Sequence, residues 1–329
     1  MQYSQLDEAG QIAEVEKHVT GLLAQYGISP DTAVNVNHGF NSAFKVTSGE
    51  KAYALRINLG SGKSSDEVLA EMQWLEALEG EVPAPKPVRT TSGELYTSAY
   101  FAPLDKSFNA VLFEWIEGEE VGDKPSNDQL FAIGQAMAKL QVFARDLKFT
   151  KPAFLPNINN SLLQAKDLLR PNQPEQIDDE LYELLLRALK ISDEVHERLS
   201  RTTPLLAIHA DLHTGNIIQG PTGISVIDFD DAGMGLPIQD LSINALYTRE
   251  DKEREKYVAE GYASIAELPK VSEEDFEILV LARALCLTNA ILDMTSAEIV
   301  SFLPTYMKRT KARLQHFFDT GEFLLVPVK

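Results

Sequence analysis

The chain has almost no cysteine. Cys286 is the only one in 329 residues. No intrachain disulfide can form, which excludes a disulfide-built scaffold and fits a reducing compartment. Basic side chains are the minority sign: 30 Lys and Arg stand against 49 Asp and Glu, for a formal charge of −19. Such a surface repels nucleic acid and anionic membrane. It suits a cationic substrate, although an acidic surface also serves solubility alone. A long uncharged apolar run is missing too. The most apolar window, "FEILVLARALCLTNAILDM" (276–294), carries Glu277, Arg283 and Asp293, so it reads as a buried helix, with Cys286 on it, and not as a membrane span. The first residues, "MQYSQLDEAGQ", have neither a basic segment nor an apolar one, so no signal peptide is read there. The expected location is the cytoplasm. Internal repeats and low-complexity tracts are also absent. With 44% hydrophobic and 24% charged residues, what remains is an ordinary globular chain with ample core.

Two patterns divide it. Ile12, Val15, Val19, Leu22 and Leu23 recur at helical spacing over 7–26, and "GISP" stops them. Short alternating runs then predict strands at about 33–37, 43–47 and 51–58. A helix follows from about 65 to 79, where Ser64 and Glu67 form a capping box, and two more strands lie at about 94–101 and 110–116. Beyond "EGEEVGDKPS" the chain turns helical, with Ser126 capping a helix that carries Leu130, Ile133, Met137, Leu140 and Phe143. Further helices are expected over 160–170, 179–200, 238–248, 252–265, 273–294 and 297–318, interrupted by one β element at 205–229. The fold class is therefore α+β: an N-terminal half (1–117) with a five-stranded antiparallel sheet, one helix and a leading helix at 7–26, and a mostly helical C-terminal half (118–329).

"IHADLHTGNII" (208–218) concentrates polar groups at the end of an apolar run. His209, Asp211 and Asn216 have the spacing of a kinase catalytic loop, H-x-D-x-x-x-x-N. Phosphoryl transfer needs a carboxylate for the acceptor's proton, oxygen ligands for Mg²⁺ and cations for the phosphates. Asp211 supplies the first, and the Asn216 amide oxygen suits a hard cation. Asp228, in "SVIDFDDAG", follows at the end of a second apolar run. There it is placed as the main Mg²⁺ ligand, in the position of the D-F-G aspartate, with Asp230 where the glycine would be.

"HADLHTGN" and "IDFDDAG" resemble the signature of the aminoglycoside phosphotransferase/choline kinase superfamily, close to H-G-D-L-H-x-G-N followed by I-D-F-x-x-A-G, with Ala210 in place of the usual glycine. "HGFNSAFKV", "YALRI", "LFEWIEGEEV" and "AIGQAMAKLQ" extend the resemblance over roughly residues 30 to 245. Bacterial homoserine-kinase-like and stress-response kinases are similar as well. The resemblance implies a bilobal protein-kinase-like fold, ATP as co-substrate and Mg²⁺. It places Arg56 of "YALRI" on the α/β-phosphates, where Lys is usual. Glu71 is its expected partner, with Glu67 one turn earlier as the alternative. Gly39 and Ser42 fall where a glycine-rich loop should cover the phosphates, although G-x-G-x-x-G is absent. Backbone at Glu114, Trp115 and Ile116 would meet adenine. Asp240 of "PIQDLS" is either a support for the catalytic loop or a plain carboxylate favoured by the helix dipole.

The implied activity is transfer of the γ-phosphate to a hydroxyl of a small molecule: an amino alcohol, a hydroxy amino acid, a sugar or an aminoglycoside. Asp230 and Asp231 would face that acceptor, and Arg249 or Arg283 would contact an anionic one. A protein acceptor is the alternative, but residues 229–239 alone separate Asp228 from Asp240, too little chain for an activation segment and peptide platform. A nucleotide-binding pseudokinase has against it that every polar role is filled. A metal-dependent hydrolase using His209, Asp211, His213 and Asp228 has against it the scarcity of other histidines, six in all. No nucleic-acid or membrane partner is expected, and the state is a monomer or homodimer.

Overall fold

The computed structural model describes residues 3, 6–39, 41–60, 62–294 and 297–325. The fold is α+β, a five-stranded antiparallel sheet with helices followed by a helical C-terminal part. It divides into two compact units. The first comprises Met1–Glu119, Leu147–Leu155 and Ile218–Asp230, the second Glu120–Asp146, Pro156–Ile217 and Asp231–Lys329.

In the first unit, α1 (Glu8–Gln25) starts at Asp7, whose side chain accepts the Gly10 N–H. Val15, Val19, Leu22 and Leu23 are its buried face. The strands β1 (Thr32–His38), β2 (Ser42–Ser48) and β3 (Lys51–Asn58) precede α2 (Ser65–Ala77), and β4 (Thr97–Phe101) and β5 (Lys106–Glu114) follow it. Their order in the sheet is β1-β2-β3-β5-β4. The α1 face packs with Phe44, Leu55, Ile57, Phe101 and Leu112 in one core. Strand periodicity then sends Arg56, between Leu55 and Ile57, to the opposite face. The Ser64/Glu67 capping box closes the start of α2, and Val68, Glu71, Met72, Trp74 and Leu75 are buried along it. β5 begins earlier than its apolar run suggests, because the polar segment from Lys106 pairs with Phe101 and the residues before it in β4. The unit also holds a small sheet of β6 (Glu119–Glu120), β8 (Ile217–Gly220) and β9 (Gly223–Val226). Val226 N–H donates to Pro83 O at 2.9 Å, and the Phe229 ring meets the buried Trp74 edge-to-face, centroids 5.3 Å apart. These contacts fix the turn at 228–230 against α2.

The second unit contains α3 (Asn127–Ala144), α4 (Asp179–Ser200), β7 (Leu206–Ile208), β10 (Gly233–Gly235), α5 (Pro237–Thr248), α6 (Glu255–Ala263), α7 (Glu273–Ile291) and α8 (Ala297–Thr320). The helix expected at 160–170 does not form. Its backbone groups are taken by side chains instead, the competition that keeps Asn and Asp out of helices. Asn160 accepts the Leu162 N–H, Asp167 accepts those of Leu169 and Arg170, and Asn289 of α7 binds both Leu168 N and Lys166 O. Leu163 has a left-handed φ of 55°, which an α-helix does not allow. β10, which pairs antiparallel with β7, has too short and glycine-rich a run to be seen in the sequence.

α3 and α6 cross with their backbones nearly touching. A Cβ on Gly134 would come within 2.0 Å of Val258 O, and one on Gly261 within 2.0 Å of Phe131 O. That closeness lets Tyr262, next to Gly261, donate its hydroxyl to Gln141 Oε1 of α3 at 2.7 Å. Gly261→Ala should push the helices apart and lower the unfolding free energy by roughly 1–3 kcal/mol, the usual cost of overpacking. Urea denaturation reads this as a lower midpoint, and an unchanged midpoint would contradict the crossing.

Candidate active site

The polar loop after β7 hangs on Asp240. This carboxylate, in the first turn of α5, is fully buried. Its Oδ1 accepts the Ala210 N–H at 2.8 Å and its Oδ2 accepts Gln141 Nε2 at 3.0 Å. Burial pushes the Asp240 carboxyl up from its ordinary value, against the pull of His209 and of these hydrogen bonds. Ala210 has a φ of 64°, a left-handed conformation that costs a non-glycine residue roughly 1–2 kcal/mol. The bond to Asp240 holds the strained peptide in place. Two residues on, Asn244 of α5 donates to Leu212 O at 2.8 Å. The loop is thus pinned to α5 on both sides of Asp211.

Asp211 and Asn216 are brought together. Asn216 Nδ2 donates to the Asp211 carbonyl at 2.9 Å and to its Oδ2 at 3.0 Å. His213 Nε2 lies 3.5 Å from the same Oδ2. His213 is itself fixed: its Nδ1 accepts the Gly215 N–H at 3.0 Å, and its ring stacks on Tyr247 with centroids 4.4 Å apart. The other carboxylate oxygen, Oδ1, accepts from Arg283 of α7. Burial pushes the Asp211 carboxyl up, but His213 and the Arg283 charge outweigh it and leave it below the usual carboxylate range. Asp211 is therefore ionised and oriented, as a group that takes a proton must be. Arg283 also accompanies Tyr247 Oη at 3.2 Å and Asp231 Oδ2 at 3.8 Å, so Asp231 belongs to the same cluster.

The first unit holds a second cluster. Arg56 Nη1 and Nη2 meet Glu71 Oε1 and Oε2 at 2.7 and 2.8 Å, a bidentate pair buried on both sides. Glu67 is occupied with Ser64 at the start of α2. Burial lowers the Arg56 pKa, but Glu71, Asp230 and Asp228 more than reverse it, so the guanidinium stays charged. Asp230 lies here, 3.1 Å from Asn41 Nδ2, 3.4 Å from Asn58 Nδ2 and 3.5 Å from Lys63 Nζ. Burial raises its pKa, while Arg56 and Lys63 lower it further than that and keep it ionised. The neighbouring acids Asp230 and Asp231 thus have different partners. Asp228 has a left-handed φ of 62°, so the turn carrying it is strained as the Ala210 turn is. In the loop between β1 and β2, Gly39 N–H donates to Asn41 O at 3.0 Å. The Ser42 hydroxyl is fully buried, 2.5 Å from His38 Nδ1. Both groups are engaged within the protein.

After β5, Glu114 N–H donates to Lys86 O and Trp115 N–H to Ala52 O, each at 3.0 Å. The amide N–H groups of Glu114 and Trp115 are thereby closed to a base. Ile116 N–H has no backbone partner among the described residues.

Lys63 lies outside the sequence reading of the site, while Arg283 and Asp240 enter it with another or an undecided role. Arg283 was weighed only as a contact for an anionic acceptor, and its bond to Asp211 joins residues far apart in the chain. Lys63 stands in "GSGKSS", where a lysine directly before a capping box was a signal that could have been weighed. Asp240 was left between two roles, and the Ala210 bond decides for loop support. Asp228, in the first unit, and Asn216, in the second, each carry an oxygen donor of the kind a hard divalent cation takes. Asp228 offers a carboxylate, and Asn216, with its amide nitrogen committed to Asp211, has its carbonyl oxygen as the group left to coordinate. Among the described residues no group of three or more His, Cys, Asp or Glu side chains could hold a metal ion, so the hydrolase ligand set has no cluster behind it.

The family described as phosphotransferase enzyme family matches residues 32–273. Amicoumacin kinase of Bacillus subtilis (strain 168) is 26% identical over 230 residues, which make up 69% of this chain and 66% of that protein. The match thus spans just under two thirds of this relative's length. Among solved structures, a microcompartment-associated aminopropanol kinase superposes with a TM-score of 0.71 at 21% identity, over 96% of this chain and 99% of the other. An amicoumacin kinase in complex with AMP-PNP, Ca²⁺ and Ami also gives 0.71, at 19% identity, over 99% and 97%. At these identities the two structures establish a shared kinase-like fold.

Asp240→Ala would leave the Ala210 N–H buried without its acceptor and Gln141 Nε2 with Pro237 O as its one remaining acceptor. The orphaned donor costs about 1–3 kcal/mol, so urea unfolding should show a clear loss of stability. Wild-type stability in this variant would show that Asp240 does not anchor the loop.

Proposed function

The chain belongs to the phosphotransferase enzyme family, and from that premise we propose that it transfers the γ-phosphate of ATP to a hydroxyl group of a small molecule. The observation that carries this reading is the placement of Asp211, held on both carboxylate oxygens by Asn216 and Arg283. In the proposed reaction the acceptor hydroxyl bonds to Asp211. As its oxygen attacks the γ-phosphorus, Asp211 takes the proton and ADP departs with the electrons of the broken P–O bond. A carboxylate of depressed pKa is a weak base, which suits a loose transition state in which the proton leaves late. Arg56, ordered by Glu71, would hold the α/β-phosphates. The Asp228 carboxylate and the Asn216 oxygen would hold Mg²⁺, which when bound neutralises charge on the β- and γ-phosphates. Gly39 and Ser42 would border the phosphates through backbone only, since the Ser42 hydroxyl is taken by His38. Adenine would bond to Glu114 C=O and Ile116 N–H, with the Trp115 ring beside them under Lys45. Nucleotide binding is assigned to residues 1–117 and acceptor binding to 118–329.

A small-molecule acceptor is favoured by the short stretch 229–239, and by relatives that are named for amicoumacin and aminopropanol. Asp231 is half-exposed beside Arg283 and would meet an ammonium group of the acceptor. Asp230, engaged with Asn41 and Lys63, is reassigned to the phosphate side. No described helix is long and apolar enough to cross a membrane, and neither a nucleic-acid nor a membrane partner is proposed. The reaction would take place in the cytoplasm.

Replacing Asp211 by Asn keeps the shape and removes the base. Turnover should fall by roughly 10²–10⁴-fold, while the Kd for Mg·ATP changes little. Near wild-type turnover in Asp211→Asn, measured on an acceptor that the wild type phosphorylates, would remove Asp211 from the mechanism.

A further inference from the structure

Arg56 is poorly free to serve phosphate alone. The end of its guanidinium fork is closed on Glu71 by two short bonds, 2.7 and 2.8 Å. Its Nε is buried without a hydrogen-bond partner. A planar fork bonded bidentately to one carboxylate cannot offer the same face to a phosphate. Nucleotide phosphates need further cationic donors, and the first unit supplies one.

Lys63 lies in the loop between β3 and α2, and its side chain is only 5% exposed. Its Nζ is 3.7 Å from Glu71 Oε2 and 3.5 Å from Asp230 Oδ1. Both distances exceed the 2.7–2.9 Å or so of a charge-assisted hydrogen bond. The ammonium is thus held in place by charge, while its three donors are not tightly bonded to these oxygens. Both carboxylates have other donors besides it: Glu71 has the Arg56 fork, and Asp230 accepts from Asn41 and Asn58. Burying an ammonium without close bonds is costly, and a ligand oxygen would relieve that cost. Asp230 stands two residues along the chain from Asp228, the proposed Mg²⁺ ligand.

We propose that Lys63 is a phosphate-binding residue of the nucleotide site, its ammonium pairing with the β- and γ-phosphate oxygens while Arg56 remains locked to Glu71. The assignment rests on the proposed kinase reading and adds to it a second cation that the H-x-D and D-F-G motifs do not contain.

The test is isothermal titration, in Mg²⁺ buffer, of wild type, Lys63→Met and Lys63→Arg with adenosine, AMP, ADP and AMP-PNP. Lys63→Met should bind ADP and AMP-PNP roughly 10- to 100-fold more weakly, the worth of one hydrogen bond to a charged group, and adenosine as the wild type does. Lys63→Arg should recover most of the loss. Equal AMP-PNP affinity in wild type and Lys63→Met overturns the assignment, and so does a loss as large for adenosine, which marks a merely structural lysine. If Lys63→Met does not fold, Lys63→Gln replaces it, with the same outcomes expected. A wild type that binds adenosine and AMP-PNP not at all sinks the kinase reading together with this one.

Discussion

A carboxylate buried beyond the reach of water must find all its partners inside the protein, and Asp240 is where the second unit meets that demand. Its two oxygens are divided between Ala210 N–H and Gln141 Nε2. The first bond sets the strained turn that points the chain toward Asp211. The second ties α5 to α3, and Gln141 is in turn held by Tyr262 of α6. Asp240 thus links the path of the loop to α5, and with Pro237 O, which also accepts from Gln141 Nε2, it links α5 to α3. Removing such a group costs more than the hydrogen bonds it makes, because its partners cannot find water.

Three acids of the two clusters meet the same demand with a cation instead. The chain has a large acidic excess, yet these three acids lie beside buried cations: Asp211 with Arg283, Glu71 with Arg56, Asp230 with Lys63. Buried ion pairs add little net stability, since desolvation offsets their attraction. Their effect is on geometry and protonation. Arg283 and His213 keep Asp211 ionised, and Arg56 with Lys63 does so for Asp230. In both units the charged groups are oriented in advance, which is the condition under which fixed charges assist a reaction.

What was legible in the sequence was what depends on local chemistry. The caps at Ser64 and Ser126, the buried face of α1 and the alternation around Arg56 follow from spacing alone, and each is present. The loop motif pointed to Asp211 and Asn216, and these two do lie together. The pairing of Arg56 with a glutamate of α2 follows from kinase-like order, and Glu71 is preferred to Glu67 because it sits beside the buried face of Val68, Met72 and Leu75 while Glu67 caps the helix. What was not legible depends on contacts between distant segments. The absence of a helix at 160–170 is caused partly by Asn289, more than a hundred residues away. Asp230 and Asp231 find their different partners, Asn41 and Lys63 for one and Arg283 for the other, in distant segments, and Arg283 reaches Asp211 only because α7 folds against α5. Lys63 sits in a loop with no periodicity, so nothing local marks its side chain as buried.

The central claim is that an oriented, ionised Asp211 serves transfer of phosphate from nucleotide to a small hydroxyl compound. An assay of ADP release by the wild-type protein, with Mg·ATP and a panel of amino alcohols, hydroxy amino acids, sugars and aminoglycosides, tests it most directly. The account predicts ADP release that depends on at least one such acceptor and stops when the divalent cation is chelated. Rapid phosphorylation of a protein with no turnover on any small acceptor, or acceptor turnover that survives chelation unchanged, would contradict it.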